Sequence, residues 1–341
     1  MANSRESMLP DGSSNPQRSA PNRISRVAIV GAGLVGSTTA YALLLSGLVA
    51  EIVLIDKDRA VAEGQVHDLR DAELYSHTAK VLAGEFSDCG TADVIVITAG
   101  MNQSTITNSR AENLKGTAVI LKDVLSEIGR HDPCGILLVA SNPVDVMTYA
   151  SWKWSGLPIN RVIGSGTSLD TSRFRRRLAE RFAVAPENVH AYIIGEHGDS
   201  QVPVLSSARI ACMSLEDFCR EQGLPYDEAS LKAIAKETRT AGLDILHAKG
   251  GTCYGIATAL ARIVRAIVHD ENAVLTVSSL APASLNLGEV CLSLPATINR
   301  NGVGHLLSIP LNEAEQQALK ASAETLKGYI DLLDDSKAVP V

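Results

Sequence analysis

A chain of 341 residues, 45% hydrophobic and 20% charged, carries enough apolar material for one large core or two closely packed lobes, and excludes a disordered or membrane-embedded composition. Its formal net charge of −7 argues against broad attachment to nucleic acid or anionic lipid, so neither nucleic acid nor a membrane is expected as a partner. Six cysteines (Cys89, Cys134, Cys212, Cys219, Cys253 and Cys291) fall in no CxxC pair and no zinc-like spacing, which predicts reduced thiols in a cytoplasmic protein and no metal site.

Residues 1–23 are rich in Ser, Pro, Asn and Arg and read as a disordered extension. They lack the apolar segment of a secretory signal. Arg5, Arg18 and Arg23 suit a transit peptide, but Glu6, Asp11 and three prolines spoil an amphipathic helix. From Arg26 the pattern is regular: "RVAIV" is a short apolar strand, "GAGLVG" a turn, "STTAYALLLSG" a helix ending at Gly47, and "EIVLID" a second strand. Further buried strands are predicted at "AKVLAG", "DVIVITAG" and "GILLVAS", with helices over 58–71 and 111–129. Strands apolar on both faces and alternating with helices predict a parallel sheet covered on both sides. A polar stretch, "AGMNQSTITNSRAENLKG" at 99–116, interrupts this rhythm.

After Asn142 and Pro143 the helices lengthen, at 144–155, 168–183, 228–248 and 252–269, with strands near 188–194, 272–279, 289–298 and 303–309. An amphipathic helix closes the chain. The expected division is 24–165, a first α/β domain, 166–334, a second α+β domain, and a tail at 335–341. No repeat or low-complexity linker separates the two lobes, so they are expected to share an interface. The longest apolar runs, such as "YALLLSGLVA", are too short to span a bilayer.

Gly31, Gly33 and Gly36 form GxGxxG at a strand-to-helix junction, and Asp56 ends the next strand twenty residues after Gly36. Glycines alone are a weak signal. In this context each part has a physical role, because the glycines permit a tight turn and close approach to a pyrophosphate, and the helix amino terminus stabilises its charge. The first domain is therefore read as Rossmann-type, a doubly wound parallel sheet. Asp56 can accept hydrogen bonds from both adenosine ribose hydroxyls and would repel a 2′-phosphate, which favours NAD over NADP. FAD is the nearest rival, without a second flavin-binding element. "YIIGEHGDS" places His197 just beyond an apolar strand, between Gly195 and Gly198, where backbone freedom can aim an imidazole into a cleft. Asp170 and Arg173 stand three apart at a helix start, close enough to share one cleft or to form an ordinary surface ion pair, and spacing alone leaves both open.

Taken together, "VAIVGAGLVGSTTAYALLLSGLVAEIVLIDKD", "VASNPVDVMTYASWKWSGLPINRVIGSGTSLDTSRFR", "NVHAYIIGEHGDS" and "AKGGTCYGIA" resemble the lactate and malate dehydrogenase family, in its lactate branch, over about residues 24–334. The resemblance implies NAD-dependent interconversion of pyruvate and L-lactate. Carried over, it makes His197 the proton donor and acceptor, Asp170 its orienting carboxylate, and Arg173 the holder of the substrate carboxylate. Arg110 would polarise the reacting carbonyl. Asn142 would touch substrate and nicotinamide, and Thr252 would line the substrate pocket. Leu34, Val35, Thr98, Ala99 and Gly100 join the glycines and Asp56 as cofactor contacts. In this family an early lid residue selects the substrate side chain, glutamine for small neutral groups and arginine for a second carboxylate; Gln103 holds that place. The lid departs from the family pattern, with "STITNS" in place of a Gly- or Pro-containing stretch, one residue longer. That departure leaves malate, a larger 2-hydroxy acid, or a non-redox use of the scaffold as alternatives. Arg175 and His190 match positions where many bacterial members bind fructose 1,6-bisphosphate, against a plain reading as surface charge. A homotetramer, or at least a dimer, is what the family implies.

Overall fold

The structure, a computed structural model, describes residues 25–77, 79–101 and 110–334. The expected extension at 1–23 and the tail at 335–341 lie outside the described residues, as does Gln103. The first half is built as its pattern dictates. Strands β1 (Arg26–Val30), β2 (Glu51–Ile55), β3 (Lys80–Ala83), β4 (Val94–Ile97), β5 (Ile136–Val139) and β6 (Val162–Gly164) alternate with helices α1 (Leu34–Ser46), α2 (Arg59–Asp71), α3 (Arg110–Gly129) and α4 (Val144–Ser155). Val, Ile and Leu fill both faces of the central strands, so each must be covered by helices on either side. The parallel order is β3-β2-β1-β4-β5-β6, with β1 flanked by β2 and β4, which puts the topological switch beside the carboxyl end of β1.

The second half continues with α5 (Ser168–Phe182), β7 (Val189–Ile194), β8 (Val202–Ile210), β9 (Met213–Ser214), α6 (Leu215–Glu221), α7 (Glu228–Lys249) and α8 (Tyr254–Val268), then β10 (Ala273–Leu280), β11 (Cys291–Asn299), β12 (Gly302–Leu306) and α9 (Glu313–Asp334). Two features differ from the sequence reading. Strand β10 pairs antiparallel onto β6, with Ser278 opposite Gly164, and β11 and β12 follow it antiparallel in turn, so one nine-stranded sheet runs through both halves. Strands β8 and β9 and helix α6 were not anticipated: Pro203 and the Ser206–Ser207 pair break the apolar run of β8, although Val202, Val204, Ala208 and Ile210 keep the inward alternation of a strand. Strands β7, β8 and β9 form a separate small sheet. It is tied to the large one where Gly195 and Ser293 exchange backbone hydrogen bonds, both at 2.9 Å. No helix among the described residues is long and apolar enough to cross a membrane.

Candidate active site

The first end of the site lies at the carboxyl edge of β1, β4 and β5. Gly31 has φ +106°, and a Cβ there would sit 2.7 Å from the Ala99 nitrogen. At Gly36 a Cβ would stand 1.8 Å from the Gly31 carbonyl oxygen, so only glycine lets α1 start this close to the turn. Gly33, by contrast, faces open space. Thr98 braces the turn, its hydroxyl donating to the Gly31 carbonyl at 2.8 Å, and the Ser141 hydroxyl donates to the Ala99 carbonyl at 2.5 Å. No side chain caps α1, whose first N–H groups therefore point outward beside Gly33, Leu34 and Val35. Asp56 accepts from the Ala32 N–H at 2.7 Å through one oxygen and from the Asp58 N–H at 3.0 Å through the other. Each oxygen retains acceptor capacity toward a diol. Gly100 and the exposed Asn142 follow β4 and β5 at the same edge. An open glycine turn, an uncapped helix start and a backbone-held carboxylate together fit the diphosphate and adenosine ribose of NAD.

The other end is assembled between α5 and β7. Thr167 and Thr171, one turn apart at the start of α5, both donate hydroxyl hydrogen bonds to the Ile193 carbonyl, at 2.5 and 3.3 Å, and the Ile193 N–H returns to Thr171 at 3.0 Å. This seam aligns Asp170 with the end of β7, where Gly195 turns the chain at φ +83°. His197 Nδ1 then meets Asp170 Oδ2 at 2.5 Å, and Arg173 donates to Asp170 Oδ1 at 3.2 Å. Of the two arrangements left open by spacing, the structure takes the shared cleft: Arg173 pairs with Asp170 within the helix, but the pair is buried beside His197 instead of lying on a solvated face. The Asp170 side chain is 4% exposed, Arg173 14% and His197 29%, so the imidazole is the member most open to a ligand.

Electrostatics follow the geometry. The Asp170 charge, opposed by burial, raises His197 to about 9. Burial pushes Asp170 up, but His197 and Arg173 outweigh it and hold that carboxyl below its ordinary range. Two more carboxylates surround the loop, and the sequence reading passed over both. Asp145, in the first turn of α4, is 2% exposed and accepts the backbone N–H of His197 at 2.7 Å through Oδ2. Its Oδ1 meets no hydrogen-bond donor in good geometry among the described residues. Burial raises the Asp145 carboxyl to about 6, against the Ser278 hydroxyl and the His197 N–H, which favour the charged form. Glu196 is also buried and accepts from the Ser200 N–H at 3.0 Å and its hydroxyl at 2.5 Å. The available signal for Asp145 was a carboxylate wedged between valines in "SNPVDVM", on an otherwise apolar helix start.

Thr252 is half-buried in the turn between α7 and α8; Gly255 packs against Leu169, drawing that turn toward the amino end of α5. Arg110 opens α3, but its side chain, like Gln103, is outside the described residues. Arg175 lies partly exposed on α5, and His190 is exposed on β7 opposite Arg209 of β8. Among the described residues no group of three or more His, Cys, Asp or Glu is arranged to hold a metal ion.

Residues 25–164 match the lactate/malate dehydrogenase NAD binding domain, and 167–336 the alpha/beta C-terminal domain of the same family. The chain is 46% identical over 319 residues to a probable L-lactate dehydrogenase of Schizosaccharomyces pombe, covering 94% of this chain and 96% of that protein. It is 44% identical over 311 residues to an L-lactate dehydrogenase of Acetivibrio thermocellus, covering 91% and 98%. Among solved structures, a lactate dehydrogenase from a Medee basin deep-sea metagenome library superposes with TM-score 0.88 at 40% identity, over 92% of this chain and all of that one (100%). The minor L-lactate dehydrogenase of Enterococcus mundtii gives 0.87 at 36% identity, over 90% and 98%.

Proposed function

We propose, on the premise that this chain belongs to the lactate/malate dehydrogenase family, that it interconverts pyruvate and L-lactate as an NAD-dependent L-lactate dehydrogenase. The observation that carries the reading is the Asp170–His197–Arg173 cluster, which lies in the same chain as a glycine turn and Asp56 suited to NAD. The similar proteins are lactate dehydrogenases, so neither malate nor a non-redox use of the scaffold is favoured.

Bound NAD supplies the hydride acceptor or donor at its nicotinamide ring. The chain's own residues do the rest. Arg173 has guanidinium donors beyond the one given to Asp170, and these grip the substrate carboxylate as a fork. His197 faces the substrate oxygen with Nε2, because Nδ1 is engaged by Asp170. As hydride reaches the 2-oxo carbon, charge grows on oxygen and the protonated His197 delivers its proton there; neutral His197 removes the hydroxyl proton in the reverse direction. Arg110 polarises the carbonyl, Asn142 and Thr252 contact the substrate, and Gln103 selects for a small neutral side chain. A second carboxylate opposite Gln103 would stay unpaired, at a cost of roughly 1–3 kcal/mol or more.

The assembly proposed is a homotetramer or dimer. Its support is apolar surface: Leu243, Ile245 and Leu246 on α7, Tyr41 and Leu45 on α1, and Tyr254 on α8 are all exposed. Arg175 and Arg209 offer guanidinium groups, with His190 opposite Arg209 on the neighbouring strand, to fructose 1,6-bisphosphate as an activator. A cytoplasmic setting suits six cysteines with no disulfide. The test is NADH oxidation with pyruvate, oxaloacetate and bulkier 2-oxo acids, with and without the bisphosphate. Pyruvate is expected to be the best substrate, and Gln103→Arg to shift preference toward oxaloacetate; an enzyme that never turns over pyruvate, at any pH, overturns the reading.

A further inference from the structure

We propose that Asp145 is a positioning residue for proton transfer, holding the backbone of His197 so that the imidazole keeps a fixed place relative to Asn142. The inference deepens the function above and rests on His197 as the proton carrier. Asn142 and Asp145 are three residues apart, at the end of β5 and in the first turn of α4. Asp145 reaches across 52 residues of sequence to accept the His197 N–H at 2.7 Å. The same loop is fastened on its other sides by the Gly195–Ser293 backbone pair and by Ser322, whose hydroxyl accepts the Glu196 N–H at 2.8 Å. Asp145 joins the loop to the segment bearing Asn142, so one helix turn registers both contacts to the substrate.

Stability does not account for a carboxylate here. Asp145 is buried, satisfied at one oxygen by a single N–H, and without a well-aligned donor at the other among the described residues. A neutral side chain avoids that desolvation. The anion acts on the imidazole as well as on the backbone, adding to the larger effect of Asp170 in favouring protonated His197, while Arg173 opposes both. The groups facing Asp145 are His197 and Glu196 on the loop after β7, Cys291 on β11 and Ser278 on β10. With its carboxyl raised to about 6, Asp145 is ionised across the range in which His197 titrates.

The experiment uses the full chain with Asp145→Asn and Asp145→Ala. Imidazole NMR follows His197, assigned by its loss in His197→Gln, while pyruvate kinetics, NADH affinity and melting temperature are measured in parallel. In both variants the His197 midpoint is expected to move to lower pH, by less than it does on loss of the Asp170 charge. The kcat is expected to fall about tenfold or more in Asp145→Ala and less in Asp145→Asn, whose amide oxygen still accepts the His197 N–H. NADH affinity should hold. A folded Asp145→Ala, or where that variant does not fold a folded Asp145→Asn, with wild-type kcat and an unchanged His197 midpoint overturns the proposal, and so does a loss of kcat that only parallels a loss of melting temperature. NMR reads His197 without turnover, so a wild-type chain inactive on pyruvate would remove the functional assignment while this measurement stood apart from it.

Discussion

His197 has one ring nitrogen committed to Asp170, and under the proposed function that pairing sets both the direction and the pH dependence of its proton transfer. With His197 raised to about 9 by the Asp170 charge, pyruvate reduction should hold its kcat/KM through neutral pH and fall as pH rises through about 9, whereas lactate oxidation should rise over the same interval. Asp170→Asn removes the charge and the tautomer control, so the limb should move to lower pH and kcat drop by roughly 10²–10⁴-fold. Stopped-flow rates across a pH series check this; an unshifted limb contradicts it. The same pair links pH to folding. Because the folded pKa exceeds the ordinary 6.5, its stabilisation is full below that value and is lost as pH climbs toward about 9. At this scale the sequence was informative where a residue sits in a distinctive local frame, as His197 does between Gly195 and Gly198. It was silent on Asp145, whose role depends on a hydrogen bond across 52 residues that no local pattern records.

The seam between α5 and β7 turns a helix and a strand into a rigid mount for the Asp170–His197 pair. Thr171 does most of it, exchanging hydrogen bonds with both backbone groups of Ile193 and meeting the Thr276 hydroxyl at 2.9 Å. Thr171→Val keeps the volume but strands the Ile193 N–H and Thr276 in a buried seam, so a loss of about 1–3 kcal/mol in urea unfolding is expected, with kcat falling more than KM rises. A fully stable variant would show that the seam is not a mount. The elements themselves were readable wherever periodicity was clean, as in β1, α1 and β2, where apolar strands and a glycine turn leave one reading. Strand β8 was missed because Pro203 and two serines interrupt its apolar residues, and only its pairing with β7 shows that Pro203 stands opposite Ile193 within a ladder.

Across the whole molecule, one sheet joins the two halves of the chain. Strands β10, β11 and β12 belong to the second half of the chain but complete the sheet of the first, and Leu260, Ile263, Val264 and Ile267 of α8 share one core cluster with β1, β2 and β4. Calorimetry should therefore record a single cooperative transition, shifted upward by NADH; two separate transitions, one for each half, would contradict the shared core. The sequence showed two rhythms and lobes that share an interface, but strand order across so long a separation is a matter of tertiary pairing, and β10 joins β6 through the single Ser278–Gly164 register. A practical limit on chimeras follows. Residues 25–164 produced alone would leave β6 without its antiparallel neighbour, an open strand edge that invites pairing between copies, and exchanged with a relative they would have to pair at that edge with foreign strands. A clean exchange of the nucleotide-binding half must carry the segment 273–306 with it, although more than a hundred residues of chain lie between the two pieces.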